Sequence, residues 1–156
     1  MRSIVLHPLV GLAARIVVGS IFVMYALDKI SAPADFALNI ERYEILPLAW
    51  VNLFALILPW VELIVGIFLL FGVRLRASAS VAAVLLVVFI VAIGSAMARG
   101  LQIDCGCSAH SEPVGWGKIV EDMLYLLLAL RITYWPNPEW TVETLSRAEI
   151  PTAAMQ

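Results

Sequence analysis

The chain has 156 residues, of which 62% are hydrophobic and 14% charged. A soluble domain is ordinarily about a quarter charged and under half apolar, and one this small exposes too much surface to hide such a composition. Lipid is the solvent that fits, and a net charge of −2 with no basic run excludes nucleic acid as a partner.

Crossing a bilayer core takes roughly 20 apolar residues in a helix. The first segment to qualify covers residues 9–28, ending at Asp28-Lys29 and interrupted by Arg15. Arg2 and Met24-Tyr25-Ala26 give this start some likeness to a signal peptide, but Arg15 is an awkward occupant of its apolar region and three more hydrophobic segments follow.

A short segment beginning near Pro33 comes next. Phe36, Ile40 and Tyr43 fall on one helical face, while Asp35, Glu41, Arg42 and Glu44 lie largely elsewhere. That pattern predicts an amphipathic helix on the membrane surface, with a solvated connector as the plainer alternative.

The second span is expected over residues 46–71, with Pro59, Trp60 and Glu62 inside it. The third, over 77–98, has no charge between Arg76 and Arg99. Its small residues, among them Ser78, Ala79, Gly94 and Ala98, would let another helix approach closely. The fourth, over 116–135, carries Lys118, Glu121, Asp122 and Arg131 and reads as a span with polar ends; Trp116, Tyr134 and Trp135 sit where interfacial aromatics belong. Residues 136–156 form a polar tail opened by Pro136 and Pro138. The expected fold is all-α: a four-helix transmembrane domain over residues 1–135, with a short interfacial helix between its first two spans.

Orientation follows from positive charge, which gathers on the cytoplasmic side. Arg2, Arg15, Arg74, Arg76, Arg131 and Arg147 fall on one side, and Lys29, Arg42, Arg99 and Lys118 on the other. The termini are therefore expected in the cytoplasm, and the loop before the fourth span outside the inner membrane of a bacterium, where disulfides persist.

That loop holds both cysteines of the chain, in the run Asp104-Cys105-Gly106-Cys107-Ser108-Ala109-His110. Cysteines two positions apart can close a small disulfide, and Gly106 tolerates the backbone angles it needs. Such a staple removes little chain entropy, so a structural disulfide is a weak reading. A labile, redox-active disulfide is a stronger one. Asp104 would disfavour a thiolate beside it, and a protonated His110 would favour it. Metal is the competing reading, with Cys105, Cys107 and His110 offered to zinc or copper. A structural or assembly subunit with incidental cysteines is the third.

Ionisable residues at bilayer depth are candidates in their own right. Arg15 and Glu62 lie roughly 9 Å and 13 Å from the same membrane face at 1.5 Å per residue, near enough in depth to expect a structural ion pair between them, with a proton or substrate role as the alternative. Glu121 and Asp122 stand one turn beyond Lys118, as a solvated helix start or as a part of proton handling beside the cysteines.

Four short motifs complete the pattern. Leu27-Asp28-Lys29, Tyr43-x-x-Leu46-Pro47, Pro59-Trp60-x-Glu62 and Asp104-Cys105-Gly106-Cys107, in this order and spacing, resemble the MauE branch of the DoxX-like membrane proteins over residues 9–135. The resemblance implies a four-helix transmembrane bundle. It also implies a link to methylamine utilisation, in support of disulfide formation in a periplasmic dehydrogenase subunit alongside a thioredoxin-like partner. Family members often continue Cys-Gly-Cys with Phe-Gly, where this chain has Ser108-Ala109. The expected activity is thiol–disulfide exchange through Cys105 and Cys107. With a single cysteine pair any electron acceptor must reach it directly; quinone is open as that acceptor, and the residues mark no site for it. Oligomeric state is not legible.

Overall fold

A computed structural model describes residues 8–101, 103, 115–136 and 141. Five helices follow one another: α1 (Pro8–Ser31), α2 (Pro33–Arg42), α3 (Leu48–Phe71), α4 (Leu75–Ala98) and α5 (Trp116–Tyr134). There is no strand among the described residues. α1, α3 and α4 are each long and apolar enough to cross a membrane, whereas the charges of α5 keep it outside that description. Each expected span is a helix whose observed ends lie within a few residues of the expected ones. The segment at Pro33 is also a helix, with Phe36 buried and Asp35, Glu41 and Arg42 exposed.

The long helices touch in a closed cycle, α1 on α3, α3 on α4, α4 on α5 and α5 back on α1, and α2 lies against α3 and α1. The buried set is rich in small side chains, including Ala14, Ala26, Ala79, Ala82, Ala83 and Ala129. The large apolar side chains face outward instead: Leu56, Ile57, Ile64 and Phe71 on α3, and Val84, Val88 and Val91 on α4. Water would penalise such an exterior, and lipid does not.

Two glycines set how α1 and α3 fit. A Cβ on Gly19 would stand 3.0 Å from the carbonyl oxygen of Gly66, and one on Gly66 would stand 2.9 Å from that of Gly19. The helices run antiparallel with these backbones in contact. Close approach was expected on α4 at Gly94, but a Cβ there would meet nothing within 4 Å. α4 instead packs through Ser78, Ala79, Ala82 and Ala83, all buried. The turn between α3 and α4 is tight, with Gly72 at φ +73° and Arg74 at φ +43°. The Gly72 and Val73 amides return to the carbonyls of Leu69 and Phe68 at 3.3 and 2.8 Å. This closes the end of α3 with a left-handed glycine. Thr141, from the expected tail, is buried against Gly72.

Candidate functional site

Asp104, Cys105, Gly106, Cys107 and His110 lie outside the described residues. The remaining candidates, Arg15, Glu62, Glu121 and Asp122, are described, and the expected Arg15–Glu62 pair does not form. Glu62 is instead held by Lys29, whose Nζ lies 2.7 Å from both Oε1 and Oε2. Arg15 donates to the Leu70 carbonyl oxygen at 3.5 Å, at the other end of the α1–α3 contact. The Gly19–Gly66 register explains the difference. It sets Arg15 level with Leu70, two turns and roughly 12 Å along α3 from Glu62. Counting depth from the helix ends misses this, because the glycine contact and not the span boundary fixes the offset.

The Lys29–Glu62 pair is almost wholly enclosed, at 5% and 2% side-chain exposure. Lys29 Nζ also lies 5.1 Å from the ring centre of Phe36 on α2 and 5.0 Å from that of Phe89 on α4. One ammonium thus ties together α1, α2, α3 and α4 through an ion pair and two cation–π contacts.

A second polar group surrounds Lys118 on α5. Lys118 Nζ donates to the Tyr25 hydroxyl at 3.1 Å and to Glu121 Oε2 at 3.0 Å, and lies 3.7 Å from Asp122 Oδ1. The Tyr25 and Tyr125 hydroxyls donate to Glu121 Oε1 at 3.2 and 2.7 Å. Glu121 is therefore the acceptor on which two tyrosines and a lysine converge. Its neighbour Asp122 is buried, and its Oδ2 has no hydrogen-bond partner among the described residues. The solvated helix start expected for Glu121 and Asp122 is thus replaced by an internal network: α5 turns Lys118 and Asp122 into the helix packing, because Tyr25 on α1 supplies their polar surroundings.

The two groups meet at a small cavity of about 20 Å³, lined by Tyr25, Lys29, Glu62, Phe89, Asp122 and Tyr125 among others. That volume suits about one water molecule, and the carboxylates and hydroxyls on its wall are partners such a water needs. On the other side of Lys29 lies a larger cavity of about 210 Å³, walled by α2, α3 and α4. Sequence reasoning missed Tyr25, Lys29, Lys118 and Tyr125 as members of one site. A signal was present: Tyr25 and Lys29, and Lys118 and Asp122, are each one turn apart on a helix face. Among the described residues no cluster of three or more His, Cys, Asp or Glu side chains is arranged to hold a metal.

The family model described as "Methylamine utilisation protein MauE" matches residues 7–135. The chain belongs to the MauE family. It is 33% identical over 135 residues to a methylamine utilization protein MauE of Paracoccus denitrificans, covering 85% of this chain and 73% of that protein. Against the protein of the same name from Methylophilus methylotrophus it is 34% identical over 133 residues, covering 85% and 68%. A third such protein, from Paracoccus versutus, is 29% identical over 133 residues. No solved structure matches the chain. Two of the motifs that carried the resemblance, Leu27-Asp28-Lys29 and Pro59-Trp60-x-Glu62, supply the two halves of the buried ion pair.

Proposed function

We propose that this MauE-family chain is a membrane thiol–disulfide exchange protein acting in methylamine utilisation, the process for which its relatives are named. The observation that carries the reading is the Cys105-Gly106-Cys107 pair, the whole cysteine complement of the chain, in the connection between α4 and α5. A disulfide closing so small a ring is readily reduced, which suits exchange more than support. In the proposed step a thiolate of a thioredoxin-like partner attacks one sulfur of the Cys105–Cys107 disulfide. The S–S bond breaks, a mixed disulfide forms, and the partner's second thiolate resolves it. The partner leaves oxidised, ready to pass its disulfide to exported proteins, and Cys105 and Cys107 are left as thiols.

The same reading makes α5 a fourth span and α2 an interfacial helix, with the cysteine connection outside the inner membrane and the termini inside. It is supported by the closed cycle of helix contacts and by the arginines of the α3–α4 turn. On this reading Glu121 and Asp122 handle protons near the thiols, and Glu62 and Lys29 fix the frame that holds them.

Trapping tests the exchange. Cys105→Ser and Cys107→Ser variants, expressed in cells together with the periplasmic proteome, should each be assayed for a mixed disulfide by mass spectrometry. One of the two is expected to hold a thioredoxin-like protein. If neither traps a partner and the purified native protein binds zinc or copper in proportion to its cysteines, the metal reading replaces this one.

A further inference from the structure

The cavity of about 210 Å³ is lined, among the described residues, almost wholly by apolar side chains, with Lys29 the one charged group. Phe36, Phe54 and Phe89 put aromatic rings on its wall, and two of these flank the Lys29 ammonium. For scale, an apolar cavity of about 150 Å³ accepts benzene. The space therefore fits one substituted six-membered ring and little more. Ile45, Phe54 and Val88 line it and are also exposed on the apolar exterior of the helices. The cavity thus opens where a long apolar tail could lie in lipid.

The inner end selects the chemistry of the ring. An ammonium has three hydrogens, and Glu62 accepts two of them. The remaining one is a donor for an oxygen acceptor. Glu62 already neutralises the charge of Lys29, so an anionic headgroup would meet no net counter-charge there. A neutral carbonyl oxygen on a flat ring satisfies the donor and stacks among the phenylalanines. A plain acyl chain would leave the donor unused.

We propose that this cavity binds the ring of a membrane quinone, with Lys29 Nζ donating to one quinone oxygen. The site stands on the cavity alone; its role rests on the thiol–disulfide reading above. In that role the Cys105–Cys107 dithiol is reoxidised by the quinone. Two S–H bonds break and one S–S bond forms. The two electrons and two protons pass to the quinone, whose carbonyl oxygens become the hydroxyls of the quinol. The chain holds one cysteine pair, so an electron acceptor must reach it directly, and a quinone can serve as one.

The test uses the full chain in phosphatidylcholine nanodiscs, with an azidoquinone as photoaffinity probe. Label is expected on α2 and on α4 around Phe89 and Ala92, and unlabelled decylubiquinone should remove it. Ala92→Phe, which fills the cavity from its wall and leaves Lys29–Glu62 intact, should cut labelling about tenfold, the equivalent of about 1.4 kcal/mol in affinity. Ala92→Leu serves if the larger side chain prevents folding. Label elsewhere, label that decylubiquinone does not displace, label that oleate displaces equally well, or label unchanged in a folded cavity-filling variant would each overturn the site. The electron-transfer half is read separately, as quinol formed when the reduced native protein meets decylubiquinone. The Cys105→Ser, Cys107→Ser double variant should still be labelled but form no quinol. Labelling without quinol from the native protein overturns the redox role and leaves the site; partner trapping without labelling overturns the site and leaves the exchange reading.

Discussion

Lys29 and Glu62 give up hydration together, and each is tolerable only because the other is present. A charge stranded at such depth is costly, and removing one partner of a buried pair ordinarily costs about 3–5 kcal/mol. Lys29→Met and Glu62→Met are each expected to lower stability on that scale, measured by detergent-mediated unfolding of the purified protein. The double variant should recover most of the loss, because neither charge is then stranded. Pairing Arg15→Glu with Glu62→Arg should rescue nothing, since Arg15 faces Leu70. At this scale the sequence was only partly legible. It marks Glu62 as an ionisable residue within a span and so as a candidate. It marks Lys29 only within the Leu27-Asp28-Lys29 motif and not as a buried charge, because Lys29 sits at the end of its apolar run and looks like an interfacial anchor. A lysine side chain is long enough to reach inward along its own helix, and periodicity carries no record of which way it reaches.

The helices themselves were legible, because apolar runs bounded by Asp28-Lys29, Pro47, Gly72 and Arg99 leave few choices for their ends. The contact between α1 and α3 was not. Small residues are scattered over all the long helices, and only the three-dimensional fit shows that Gly19 and Gly66 meet while Gly94 faces open space. Substitution should separate them. Gly19→Ala and Gly66→Ala each drive a Cβ to 2.9 Å from a neighbouring atom. Each is expected to cost about 1–3 kcal/mol through overpacking. Gly94→Ala meets no obstacle and should be neutral or stabilise by about 0.5–1 kcal/mol, as alanine is the better helix former. The three can be ranked in one unfolding series, and an equal loss at Gly94 would refute the assigned contact.

For the molecule as a whole, composition alone points to lipid, and the outward valines and leucines of α3 and α4 bear that out. The way the polar groups gather was hidden. Tyr25 on α1 is distant in the chain from Lys118 and Glu121 on α5, and it meets them only because α5 packs back onto α1. The proposed topology has a direct check in intact cells with a membrane-impermeant maleimide. After mild reduction, Cys105 and Cys107 should label from outside. In a Cys105→Ser, Cys107→Ser background, Val73→Cys on the α3–α4 turn should label only once the membrane is opened. Labelling of both from the same side would mean that α4 does not cross.

The buried ion pair also bears on descent. Lys29 and Glu62 come from helices whose spacing is already fixed by two glycines, so neither charge can be compensated by a small shift of α1 along α3. A lineage that loses the carboxylate must lose the ammonium soon after, or the reverse. Across the MauE family these two positions should therefore change as a unit, and a homologue keeping one charge without the other should show a new partner within reach of Phe36 and Phe89.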